Sequence, residues 1–123
     1  MTKRERVKHK TNCRCGYCGQ RLGIYYHIDH IKPIYRGRDG KPDHAGEDDE
    51  SNLIASCKRC NLWKKTYTVE EFRNEIAKSV KRTRDKSSTF RLAEDYGLIE
   101  EKQVEVTFYF ERKQNENHNF NQR

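Results

Sequence analysis

The chain has 123 residues, room for one small domain with an appendage, and 37% of them are charged, with 26 Lys and Arg against 19 Asp and Glu for a net charge of +7. Leu, Ile, Val and Phe are sparse, hydrophobic residues of every kind make up only 33%, and mean hydropathy is −1.23, so apolar burial alone struggles to offset the entropy of ordering the chain. No apolar run approaches the roughly 20 residues of a membrane span and MTKRERVKHKTN lacks signal-peptide character, which argues against a membrane protein and predicts a cytoplasmic chain with reduced thiols.

Residues 1–12 read as a basic flexible arm (Lys3, Arg4, Arg6, Lys8, Lys10) suited to phosphate contact. The segment Cys13 to Gly19 is too rich in Cys and Gly for helix or strand. Residues 24–31 (IYYHIDHI) are dense in β-branched and aromatic side chains and predict a strand ended by Pro33. Alternation sets His27 and Asp29 on one face and Ile28 and His30 on the other. A long loop follows over residues 37–51, with six acids (Asp39, Asp43, Glu47, Asp48, Asp49, Glu50). Residues 51–56 read as a short strand or turn, and residues 58–65 as a short helix.

Thr68-x-x-Glu71 has the form of a capping box, and Val69, Phe72, Ile76 and Val80 follow at helical spacing, predicting a helix over residues 69–84. Ser87 or Ser88 is positioned to cap a shorter helix ending at Gly97. Val104, Val106, Phe108 and Phe110 alternate with polar residues and predict a half-buried strand. The Asn-rich stretch from residue 114 has the composition of a disordered tail. The charge is uneven: the whole excess of +7 lies in residues 1–65, which points to a polyanionic partner, nucleic acid first.

Two C-x2-C pairs, Cys15/Cys18 and Cys57/Cys60, stand well apart in the chain. Each such turn aims two sulfurs at one point, so the four together predict a closed tetrahedral zinc site that supplies folding energy rather than catalysis. Cys13 is left over. Between and beside the pairs lie Asp29, His30, Asn52 and Asn61. Asp29 and Asn61 offer the hard oxygens that Mg2+ prefers, and His30 is a base that works near neutral pH. Phosphodiester hydrolysis uses such a set, a base for water and a cation for the phosphate and leaving oxygen. Leu62 and Trp63 read as core or zinc-shell packing.

Cys15-x-x-Cys18-Gly19, Ile28-Asp29-His30-Ile31-x-Pro33, Ser51-Asn52-Leu53 and Cys57-x-x-Cys60-Asn61-x-x-Lys64 together resemble the HNH endonucleases. The resemblance implies a ββα-metal (His-Me finger) fold, with Asp29 as metal ligand, His30 as general base and Asn52 as the residue that orients the His loop. Asn61 stands where the last His of the family name would be, as in HNN-type members in which the Asn oxygen ligates Mg2+ or Mn2+. Lys64 matches a basic position expected to meet phosphate, and Arg36 and Arg59 flank the site as further phosphate contacts. His27 is a further candidate for the metal or substrate, beside an ordinary buried role.

The expected fold is therefore α+β, a small zinc-stabilised ββα-metal domain with an added C-terminal helix and strand. It divides into a basic arm (1–12), a nuclease core with zinc (13–66), a helical extension with a late strand (67–112) and a tail (113–123). The expected function is metal-dependent hydrolysis of DNA phosphodiester bonds, with zinc structural and Mg2+ or Mn2+ catalytic. A non-catalytic zinc-stabilised nucleic-acid-binding module is the alternative. DNA is the expected partner, with a homodimer or phage packaging and recombination proteins as further associations, in a bacterial or phage-infected cell.

Overall fold

The computed structural model describes residues 1–34 and 49–113. In chain order it contains α1 (Lys3–Lys10), β1 (His27–His30), a 3-10 turn (Glu50–Asn52), β2 (Leu53–Ser56), α2 (Lys58–Lys64), α3 (Val69–Ala77), α4 (Ser79–Lys86) and α5 (Ser88–Asp95). β1 and β2 pair antiparallel with His27 opposite Ser56, Ile28 opposite Ala55, Asp29 opposite Ile54 and His30 opposite Leu53. With α2 they make the ββα unit. Most of the acidic loop, Arg36 and the Asn-rich stretch lie outside the described residues.

Residues paired directly across two strands share a face. The register therefore puts His27, Asp29, Ile54 and Ser56 on one face of the sheet and Ile28, His30, Leu53 and Ala55 on the other. The first face meets the main core of Cys15, Tyr17, Ile54, Cys60, Phe72 and Phe108. The second meets a smaller one of Val7, Leu53 and Ala55. Covered on both sides, β2 is buried along its whole length.

The N-terminal segment is not a free arm. Thr2 Oγ1 accepts from Glu5 N and caps α1, and Val7 is buried against β2. Arg6 pairs with Glu50 at 2.8 Å, while Lys10 donates to the carbonyls of Leu53 at 2.7 Å and Glu50 at 3.1 Å. One apolar anchor and several charged tethers dock a helix too polar to be recognised from periodicity.

The knuckle over residues 13–22 is closed by Cys15 N donating to Gln20 O, Gly19 N to Cys15 O and Leu22 N to Cys13 O. Gly19 takes a φ of +81°, which glycine adopts without steric cost. The helix expected over residues 69–84 is two helices broken at Lys78. α3 carries the full capping box of Thr68 and Glu71. α5 is capped by Ser87, whose side chain accepts from Phe90 N, and Gly97, just past its C-cap Tyr96, has a φ of +73°.

The late strand does not form. Phe108 is buried and stacks on Phe72 with ring centroids 5.3 Å apart, and Tyr17 meets both rings edge-on at 5.5 and 5.4 Å. Residues 109–113 turn into helix instead. The N–H groups of Tyr109 and Phe110 donate to Tyr17 O and Gly16 O, and Glu111 accepts from Phe108 N. Arg73 occupies the Val106 carbonyl and pairs with Glu111 at 2.6 Å. Val106, Phe108 and Phe110 of the alternating set pack on the core while Val104 is 71% exposed, and the backbone groups a ladder needs are spent on α3 and the knuckle.

Gly16 sits at the crossing of knuckle, β2 and C-terminal turn, and a Cβ there would lie 2.0 Å from Ile54 Cδ1. Ile54 is itself buried, so its side chain must shift to make room. Gly16→Ala is expected to destabilise the chain by about 1–3 kcal/mol, the cost of overpacking a core. Each kcal/mol corresponds to roughly 4–8 °C in a small domain, so a thermal melt within about 2 °C of wild type would contradict the packing described.

Candidate metal and catalytic centre

The knuckle presents Cys15 and Cys18, and the first turn of α2 presents Cys57 and Cys60. Cys57 is the N-cap of α2, its Sγ accepting from Cys60 N at 3.4 Å. The four sulfurs all lie within 4.8 Å of one another, with Cys18 and Cys57 3.9 Å apart. A tetrahedral zinc with bonds of about 2.3 Å separates its sulfurs by about 3.8 Å. The donor set thus fits zinc in identity, number and spacing. Hydrogen bonding from Cys60 draws the Cys15 thiol down to about 4 and pushes Cys60 up, so one thiolate is favoured in the cluster before any metal contributes. Cys13 is outside the cluster, 3.9 Å from His9 Nδ1.

Asp29 lies on the sheet face turned to this cluster. Its Oδ2 accepts from Tyr17 OH at 2.5 Å and faces Lys64 Nζ at 3.1 Å. Lys64 Nζ also donates to His30 O at 2.9 Å. Burial first, and then the Asp29 charge, raise the pKa of Tyr17, so the phenol stays a donor. With Oδ2 committed, Oδ1 is the Asp29 oxygen left for a hard cation. Asn61 is three residues before Lys64 on α2 and therefore shares the helix face that reaches Asp29.

Lys64 departs from expectation. It is wholly buried, between strand and helix, and cannot meet a phosphate in solution; its ammonium instead braces Asp29 and the β1 backbone. Truncating one member of a buried pair costs about 3–5 kcal/mol, so its role is architectural. Arg59 is exposed, but its guanidinium lies beside the sulfurs of Cys60 and Cys18, and its attraction to them when they ionise raises its pKa. Leu62 and Trp63, expected as packing residues, are 59% and 62% exposed. Cys60 and Lys64 take the buried face of α2, which turns residues 62 and 63 to solvent.

Asn52 forms a two-way clamp on the residue after Ile31. Its Oδ1 accepts from Lys32 N and its Nδ2 donates to Lys32 O, both at 2.9 Å, while its own carbonyl accepts from Ile31 N. The clamp fixes the backbone just past His30. His30 itself is half-buried on the opposite sheet face from Asp29, toward α1. His27 is exposed at the start of β1. Sequence reasoning missed Tyr17, for which no local signal existed: its partner Asp29 is 12 residues away.

The HNH endonuclease family model matches residues 15–66. In Bacillus subtilis (strain 168), the "SPbeta prophage-derived putative HNH endonuclease YoqL" is 30% identical over 87 residues; the match covers 61% of this chain, which spans about a third (33%) of that relative's length. Among solved structures, the Type II-C Cas9 enzyme from Actinomyces naeslundii aligns over 75% of this chain and 11% of its own, with a TM-score of 0.48 and 22% identity.

Two outcomes are expected. Native mass spectrometry should find one zinc per chain, and chelation should abolish the cooperative melt, because such a site supplies roughly 10–16 kcal/mol of binding that acts as folding energy; a chelated chain that stays folded would remove the cysteine cluster from its structural role. Tyr17→Phe should keep zinc and fold but lose about 1.5–3 kcal/mol, the worth of a hydrogen bond to a charged group, read as a lower midpoint in urea.

Proposed function

We propose that this chain, whose residues 15–66 carry the HNH endonuclease pattern, is a metal-dependent endonuclease that hydrolyses DNA phosphodiester bonds. The observation that carries the reading is the arrangement at the end of β1. Adjacent residues Asp29 and His30 leave the strand on opposite faces, Asp29 braced by Tyr17 and Lys64, and the backbone beyond His30 held by Asn52. An in-line displacement at phosphorus needs a base on the attacking side and charge stabilisation on the leaving side, and a strand end with one group on each face meets that need.

His30 removes a proton from water, and the resulting hydroxide forms a bond to phosphorus as the bond to the 3′-oxygen breaks. The 3′-oxygen leaves with the electron pair and takes a proton from solvent, giving a 5′-phosphate and a 3′-hydroxyl. Asp29 Oδ1 and Asn61 are the residues that would hold Mg2+ or Mn2+, which when bound supplies Lewis-acid stabilisation of the phosphoryl charge and the departing oxygen. Tyr17 and Lys64 set the direction of Asp29, and Asn52 sets that of His30. The net charge of +7 supports a polyanionic substrate. Arg59 belongs with the zinc-site sulfurs in this account, and Arg36 remains a proposed phosphate contact outside the described residues.

Supercoiled plasmid with Mg2+ or Mn2+ tests the proposal. Wild type is expected to nick it; His30→Ala should lower the rate at least 100-fold, the usual scale of general-base catalysis, with zinc content and DNA binding retained. Asn61→Ala should raise the Mg2+ concentration needed for half-maximal rate. Retained binding without cutting in any divalent cation would favour a zinc-stabilised binding module instead.

A further inference from the structure

α1 covers the sheet face that carries His30, and packing accounts for only part of its composition. Val7 is its one buried residue. Arg6, Lys8 and Lys10 hold the helix in place through Glu50, the Gly23 carbonyl and the Leu53 carbonyl. Lys3 and Arg4 do something else as well: with Val7, Ile28, His30 and Leu53 they line a groove of about 290 Å3. Its floor is apolar, no acidic residue among the described residues lines it, and Lys3 and Arg4 share it with the imidazole assigned as the base. Arg4 also donates to Tyr26 O at 2.8 Å and lies over the Tyr26 ring at 4.6 Å, which fixes its guanidinium toward the start of β1, up the strand from His30. A helix kept for stability alone needs the anchor and the tethers, not further cations on the groove that His30 lines.

We infer that the groove between α1 and the sheet is a second DNA-backbone surface, in which Lys3 and Arg4 hold a phosphate flanking the scissile one. The strand then crosses the end of the sheet from the Asn61 side to the α1 side, passing His30. This rests on the nuclease reading and adds to it a substrate path that the ββα unit by itself lacks. It also gives the helix a functional reason to be docked: a phosphate-binding wall that lies well before the base in sequence must be fixed in space to define a path.

The test is the salt dependence of binding to a random-sequence 20-bp DNA duplex without added Mg2+, so that nothing is cut. Each cation that neutralises a phosphate contributes about 0.9 to the slope of log affinity against log salt, or roughly eightfold in affinity at 0.1 M. Lys3→Gln and Arg4→Gln are each expected to lower the slope by about that amount, and Lys102→Gln, at an exposed position of the C-terminal extension, to leave it unchanged. Arg4→Gln also loses its contacts with Tyr26, so Lys3→Gln, which removes a charge attraction to Glu50 and no hydrogen bond among the described residues, decides the matter. A Lys3→Gln slope equal to that of wild type, in a protein that nicks plasmid, overturns the groove and leaves the endonuclease standing. A reduced slope in a protein that nicks nothing keeps the surface and overturns the catalytic reading.

Discussion

Four sulfurs brought to one point are the constraint on which everything else hangs. Cys15 and Cys18 come from a knuckle closed by its own backbone, and Cys57 and Cys60 from the first turn of a helix that follows both strands in the chain. Cys57 serves two ends at once, as donor to the cluster and as N-cap of α2. Joining the knuckle to that helix start encloses both strands, so the segments bearing Asp29 and Asn61 cannot separate without breaking the cluster. This explains how a chain with so few core formers maintains order. Its main core is small, an aromatic group of Tyr17, Phe72 and Phe108 laid over the sulfurs, and it extends the clamp rather than replacing it.

The strand pair then divides labour by the simplest property of β structure, that successive side chains alternate. Asp29 points to the cysteine side and His30 to the α1 side, and each needs a covered face to be held in one direction. On the Asp29 side the cover is tight and polar, with a buried lysine and a buried phenol converging on a single carboxylate oxygen. Placing an ammonium there is costly unless it is paired and hydrogen-bonded, and Lys64 meets that condition through Asp29 and the His30 carbonyl. On the His30 side the cover is a helix with one buried residue over a three-residue core, with a groove beside it.

Much of the centre was legible in the residues themselves. Metal-ligand spacing, the Asp29-His30 pair, and the capping box at Thr68 are local or strictly spaced signals, and each appears where its spacing requires. The readings that changed all depended on partners distant in sequence. Residues 1–12 have the composition of a solvated arm because only Met1 and Val7 are apolar; the Thr2-x-x-Glu5 pattern is the one local sign of a helix, and Glu50, 44 residues from Arg6, helps to dock it. Lys64 has the identity of a phosphate contact and the position of a buried brace. Phe108 and Phe110 alternate as in a strand, yet the backbone just before them is claimed by Arg73.

What the sequence determined by itself was arrangement at short range: which four thiols converge, which carboxylate and imidazole sit side by side on a strand, and which turns cap helices. These follow from spacing along one segment, where the geometry of helix and strand leaves few choices. The tertiary structure decided which charges work and which hold the protein together. That division depends on burial and on contacts between segments far apart in the chain, as with Lys64 beneath His30 and Arg6 on Glu50. A cation is free to meet a phosphate only if the fold leaves it in solvent, and no pattern in the chain specifies that before the faces of the sheet are covered.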